Sequence, residues 1–146
     1  MYHLHDSLGY RLTYAARLNE RRFEVRLTAL GLTRLMWCVL CALEYEALHR
    51  PSEIAKFIGV DRTAISRCLK LMEARGLIAR RAAKGDARAR DVSATDAGRE
   101  VLAPATEAAR ENAAFWHEKL TAGDRIALLR ALDSLTEQDD EPLMGI

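Results

Sequence analysis

A mainly α-helical chain with one small β-hairpin is what three observations predict. Residues 51–98, PSEIAKFIGVDRTAISRCLKLMEARGLIARRAAKGDARARDVSATDAG, hold two short helical patterns separated by Gly59-Val60-Asp61. Gly76 stops the second pattern, and two strand-like runs then flank a basic tip. Long amphipathic stripes lie on either side, at about residues 6–29 and 95–138. Helix, turn, helix and hairpin in this order make a winged helix-turn-helix with long N- and C-terminal helices. Such an arrangement lays one helix against nucleic acid.

Each element has its own signal. From Asp6 to about Ala29 apolar residues recur at Leu8, Leu12, Ala15/Ala16, Leu18, Phe23 and Leu27, the spacing of an amphipathic helix. Gly31 breaks it, and Thr33 caps a second helix carrying Leu35, Met36, Val39, Leu40, Leu43 and Leu48. A helix so apolar all round is a central, buried one. Pro51 suits the first position of a third helix, with Ile54, Ala55 and Ile58 inward. Gly59 can take the left-handed turn, Asp61 caps the fourth helix, and Gly76 ends it. Residues 77–82 and 89–94 read as short strands joined by a tip at 83–88. Thr95 caps a long fifth helix to about Lys119, which Pro104 should kink or locally open. Thr121 caps a last helix with Ile126, Leu128, Leu129, Leu132 and Leu135, and the acidic tail EQDDEPLMGI is expected to fray.

The 146 residues thus read as a single domain, with residues 33–98 as its winged part. The helices at 6–29 and 95–138 are too long and too apolar for a small winged helix to cover. A second copy would bury them, and a two-fold dimer would set two recognition helices about one DNA turn apart.

The net charge of +1 conceals an asymmetry. Residues 51–95 carry ten Lys and Arg against five Asp and Glu, a net +5. Residues 96–146 carry five against eleven, a net −6, and residues 1–50 seven against five, a net +2. A basic middle on a near-neutral chain fits a nucleic-acid face. Hydrophobic residues make up 49% of the chain, so disorder is not the default. No apolar run approaches the ~20 residues of a membrane span. Charges at Asp6, Arg11 and Arg17 argue against a secretory signal. Three cysteines, Cys38, Cys41 and Cys68, do not form a disulfide framework, and a reducing cytoplasm is the expected compartment.

On the fourth helix Ile65, Cys68, Leu69 and Met72 fall on one face, and Arg62, Thr63, Ser66, Arg67 and Lys70 on the other. Short hydroxyls near a helix start can approach bases, and Arg can bridge guanine O6 and N7. Lys70, further along, suits a phosphate. The hairpin adds Arg80, Arg81, Lys84, Asp86, Arg88 and Arg90, and an Arg-bearing tip fits a minor groove. Asp86 is the odd member, useful if it pairs with Arg88 and holds that side chain outward; it could equally be a turn former beside Gly85.

These pieces resemble the MarR family of dimeric winged-helix regulators over about residues 8–135. The resemblance rests on Leu30-Gly31-Leu32-Thr33, Ser52-Glu53-Ile54-Ala55, Asp61-Arg62-Thr63-Ala64-Ile65-Ser66-Arg67 and Glu73-Ala74-Arg75-Gly76-Leu77-Ile78. Asp86-x-Arg88 and Thr95-x-x-Gly98 complete it, with Ala94 departing where the family has Leu. The resemblance implies a homodimer bound to double-stranded DNA, with Ser66 and its neighbours in the major groove and Arg88, braced by Asp86, in the minor groove. It further implies release by a small aromatic or lipophilic acid held between the dimer helices and the winged helix.

For that acid the sequence offers Tyr10, Tyr14, Arg17 and Trp37: an Arg for a carboxylate and aromatics for a ring. Aromatics at such spacing also serve as plain core. A second switch is conceivable at Cys38-x-x-Cys41, making the chain a redox-sensing variant, although apolar surroundings raise a thiol pKa. The four histidines are scattered, and no metal or cofactor is expected. No nucleophile–base pair, phosphate loop or carboxylate pair has convincing spacing, which argues against an enzyme. The expectation is a ligand-responsive repressor on a pseudo-palindromic operator. The alternative is an anti-repressor or protein-interaction module of the same fold, which should not retain Arg62, Arg67, Lys84, Arg88 and Arg90 together.

Overall fold

The computed structural model describes residues 1–83, 85–137 and 141–143, with backbone alone at 83 and 86–89. Six helices and a two-stranded hairpin follow in the order α1 (Leu8–Ala29), α2 (Arg34–Glu44), α3 (Pro51–Ile58), α4 (Arg62–Ala74), β1 (Ile78–Ala83), β2 (Asp86–Ala94), α5 (Asp96–His117) and α6 (Ala122–Thr136). A 3-10 turn at Leu4–Asp6 precedes α1. Among the described residues no single helix is long and apolar enough to cross a membrane.

Local chemistry sets most of the helix starts. The side chains of Thr33, Asp61, Thr95 and Thr121 accept from the backbone N–H three residues on, each satisfying one orphan donor of its helix. Ser7 does the same for α1, which therefore begins at Leu8 rather than at Asp6. Pro51 opens α3, and Gly59 ends it at φ 82°, the left-handed turn that brings the chain round to α4.

The core lies between Phe23 and Ala108. It gathers the end of α1, the buried side of α2 (Met36, Val39, Leu40, Leu43), Ile54 of α3, the Ile65-Leu69-Met72 stripe of α4, Val92 of the hairpin, and Leu102 of α5. Outside it the stripes are open. Leu8 and Tyr14 on α1, and Ile126, Leu128, Leu129, Leu132 and Leu135 on α6, are all exposed.

Three expectations need correction. The second helix stops at Glu44, short of Leu48, because the chain turns through Tyr45–Ala47 with Ala47 at φ 52°. The hairpin is tighter than a tip at 83–88: β1 and β2 pair antiparallel from Ile78 opposite Ala94 up to Ala83 opposite Asp86, with an irregularity after Ala82. And within the tail expected to fray, the described Leu143 forms a parallel bridge with Val60, while residues 138–140 and 144–146 lie outside the described residues. Helix α5 carries Pro104 inside its single span Asp96–His117.

Candidate nucleic-acid interface

Helix α4 owes its orientation to contacts at both ends. At its start, Asp61 Oδ1 accepts from Ala64 N at 2.8 Å. At its end, Arg75 Nη1 donates to Gly31 O at 3.0 Å, tying the helix to the turn before α2. Between these ends Ile65, Cys68, Leu69 and Met72 are buried, and Arg62, Thr63, Ser66, Arg67 and Lys70 are exposed on the opposite side. A 3.6-residue period could give this division only if the buried stripe faces the core throughout, as it does.

The hairpin is anchored at two places. Thr95 N donates to Leu77 O at 3.1 Å, and Thr95 Oγ1 donates to Gly76 O at 2.6 Å while accepting from Gly98 N at 3.1 Å. A Cβ on Gly98 would sit 2.2 Å from Leu77 O, so only glycine allows α5 to start this close to the hairpin base. The second anchor is His49, whose carbonyl accepts from Val92 N at 2.8 Å. His49 Nδ1 lies 3.1 Å from Val92 O, so that nitrogen carries the proton and donates.

These anchors bring side chains from three elements to one cleft of about 430 Å³. Arg62 and Ser66 of α4 line it, as do Arg80 and Arg90 of the hairpin. Arg80 and Arg90 share a face of the hairpin with Val92, because strand residues alternate and Arg80 stands opposite Val92. Arg80 Nε also lies 3.2 Å from Glu73 Oε2, so Arg80 is shared between the cleft and the end of α4. The cleft includes one residue that sequence reasoning missed. Arg50, the residue before Pro51, completes a group of four arginines with Arg62, Arg80 and Arg90. Its only sequence signal is an Arg at a helix N-cap position, where it offers no side-chain cap. Thr63, Arg67 and Lys70 lie further out on the exposed side of α4, and Arg81 faces away, opposite Asp91. Lys84 and the side chains of Asp86 and Arg88 lie outside the described residues. Four arginines lining one open cleft supply the group that binds phosphate oxygens through charge-assisted and bidentate hydrogen bonds.

The ligand candidates are distributed differently. Tyr10 and Tyr14 stack at 6.0 Å between centroids, with 12° between their planes. Trp37 meets Phe23 edge-on at 4.9 Å. Arg17 is exposed. The indole Nε1 of Trp37 is buried with no hydrogen-bond partner among the described residues.

The cysteines are free thiols. Burial pushes Cys38 up, against the opposing charge of Arg34. Burial, with Cys38 and Glu46 nearby, pushes Cys41 up to about 12, and burial pushes Cys68 up to about 11. All three are protonated at neutral pH, the wrong form for a nucleophilic sensor.

A family model described as the MarR family matches residues 30–89, the span from the turn before α2 to the middle of β2. The chain is 26% identical over 139 residues to the HTH-type transcriptional repressor NicR of Pseudomonas putida, spanning 95% of this chain and 88% of NicR. It superposes on BpsR of Bordetella bronchiseptica, whose DNA binding is regulated by 6-hydroxynicotinic acid, with a TM-score of 0.86 and 22% identity over 95% of this chain and 99% of that one. With the transcriptional repressor CouR solved on a 23-mer DNA duplex it shares 30% identity and a TM-score of 0.81, over 92% of this chain and 95% of that one. The helix-turn-helix, the anchored wing and these matches along nearly the whole length place the chain in the MarR family.

Proposed function

We propose that this protein is a sequence-specific transcriptional repressor that binds a pseudo-palindromic operator as a homodimer and lets go when a small aromatic or lipophilic acid binds. The observation that carries the reading is the cleft lined by Arg50, Arg62, Arg80 and Arg90 beside the exposed face of α4. In this reading Thr63, Ser66 and Arg67 meet base edges in the major groove, while Lys70 and the cleft arginines take phosphates. Lys84, Arg88 and its brace Asp86 serve the minor groove. Residues 33–98 do the reading, and the helices at 6–29 and 95–138 hold the two copies together in the cytoplasm.

Dimerisation is supported by the open apolar stripes of α1 and α6. Five large apolar side chains exposed on one 15-residue helix are costly in water and gain by burial against a second copy. An acid effector is supported by the unpartnered Trp37 indole N–H, which could donate to a ligand oxygen, with Tyr10, Tyr14 and Arg17 on the neighbouring helix. BpsR supports the same class through the aromatic acid that regulates its DNA binding. A ligand achieves release only by binding the non-operator conformation better, and the coupling is reciprocal.

The test is a titration of the protein against the DNA upstream of its own gene, with scrambled DNA as control, at two salt concentrations. Tight binding to the upstream DNA alone, at one dimer per site and weakening steeply with salt, supports the reading. No binding to either DNA at low salt overturns it in favour of a protein-interaction module of the same fold.

A further inference from the structure

The described part of the C-terminal tail docks at the turn of the helix-turn-helix. Leu143 N donates to Gly59 O at 2.7 Å, and Asp61 N donates to Leu143 O at 3.3 Å, closing a parallel bridge with Val60. Glu141 and Pro142 then line an open cleft of about 890 Å³ together with Ser52, Lys56 and Arg62. Glu53 and Asp61 also face this cleft, but the Asp61 carboxylate already caps α4. The tail therefore bonds the turn between α3 and α4 and lines one cleft with residues at the starts of both helices.

Charge favours the contact. The segment 137–141, Glu-Gln-Asp-Asp-Glu, carries four carboxylates, and the winged part it returns to is net basic. Glu141 lines the same cleft as Lys56 and Arg62, and a carboxylate there offers those cations the oxygen anion that a phosphate would.

We propose that the acidic C-terminal segment is a built-in competitor for DNA: Glu141–Leu143 closes over the start of the recognition helix and must leave when duplex arrives. This rests on the DNA-binding reading above. Tethering makes a weak contact effective, since a short link holds the tail at millimolar effective concentration. Apparent affinity for every DNA falls by the fraction of molecules in the closed state. The device raises the threshold uniformly, so that random duplex is refused while a well-matched operator still displaces the tail.

Two full-length variants test it. Leu143→Pro removes the N–H that bonds Gly59 and leaves the charge, and Glu141→Gln removes the charge and leaves the bridge. Their dissociation constants for a labelled random duplex of about 30 base pairs are compared with wild type at low salt. Tightening of about 3- to 10-fold is expected, larger for Leu143→Pro. Equal or weaker binding by both variants overturns the proposal. Hydrogen exchange gives a second readout: the Leu143 and Asp61 amides should be protected in the free protein and released on adding duplex. Fast exchange of both amides without DNA also overturns it. If neither wild type nor variants bind any duplex while the amides are protected, it is the DNA-binding reading that fails, and the competitor role with it.

Discussion

The winged core and the terminal helices carry similar apolar stripes with opposite outcomes. On α4 the stripe Ile65, Cys68, Leu69 and Met72 is buried within one chain, whereas on α6 Ile126, Leu128, Leu129, Leu132 and Leu135 all face outward. All of the large fully buried side chains come from the span Leu27 to Val92. An amphipathic period says that a face must be covered; it does not say by what. The α4 stripe is covered within one chain, with help from the end of α1 and from Leu102 of α5, and the α6 stripe is left open.

The same kind of truncation should separate the two regions. Leu69→Ala, at a site of 0% exposure, is expected to cost about 4 kcal/mol at any protein concentration, read by denaturant titration. A loss under about 1 kcal/mol would mean that the winged core is not closed as described. Gly98→Ala comes next, at about 3 kcal/mol, because the new methyl meets a backbone carbonyl that cannot swing away. Unchanged stability there would show that α5 can slide off the hairpin base. Arg67→Ala leaves the core untouched and should weaken operator binding by about 2 kcal/mol at fixed salt, without moving the thermal midpoint. A uniform loss across all DNA sequences would reassign Arg67 to phosphate. Thr95→Ala removes a cap and the hydrogen bond to Gly76, worth about 1 kcal/mol of stability.

The smallest effect on the isolated fold sharpens the comparison most. Leu129→Asp should change intrinsic stability by no more than about 0.5 kcal/mol, as surface changes do. It should nonetheless abolish self-association in sedimentation and remove the concentration dependence of the melting midpoint. A variant that sediments as wild type does would separate α6 from the dimer contact.

What was legible in the sequence was what depends on near neighbours along the chain. Thr33, Asp61, Thr95 and Thr121 announce their helices because a cap is a contact three residues long. The division of α4 into a buried and an exposed face follows from period alone. What escaped was non-local or chemically quiet. Arg50 joins the cleft only because the hairpin folds back beside the start of α3. The Ala-rich strands carry little β-propensity, so their extension to Ala83 and Asp86 had no signal. The end of α2 relies on Ala47 at positive φ, where no glycine marks the turn. Leu143 meets Gly59 across more than eighty residues of chain, beyond any periodicity.

The clamp at Thr95 and Gly98 turns the start of α5 and the end of α4 into one lever. A 22-residue helix is about 33 Å long, so tilting its far end by about 0.1 radian displaces the near end by ~3 Å, close to one 3.4 Å base-pair step. Two hydrogen bonds cross the joint, from Thr95 N to Leu77 O and from Thr95 Oγ1 to Gly76 O, so a shift of α5 is handed directly to the turn that ends α4. In the proposed dimer the two copies would act as a pair of callipers, opened at the handles and read at the tips.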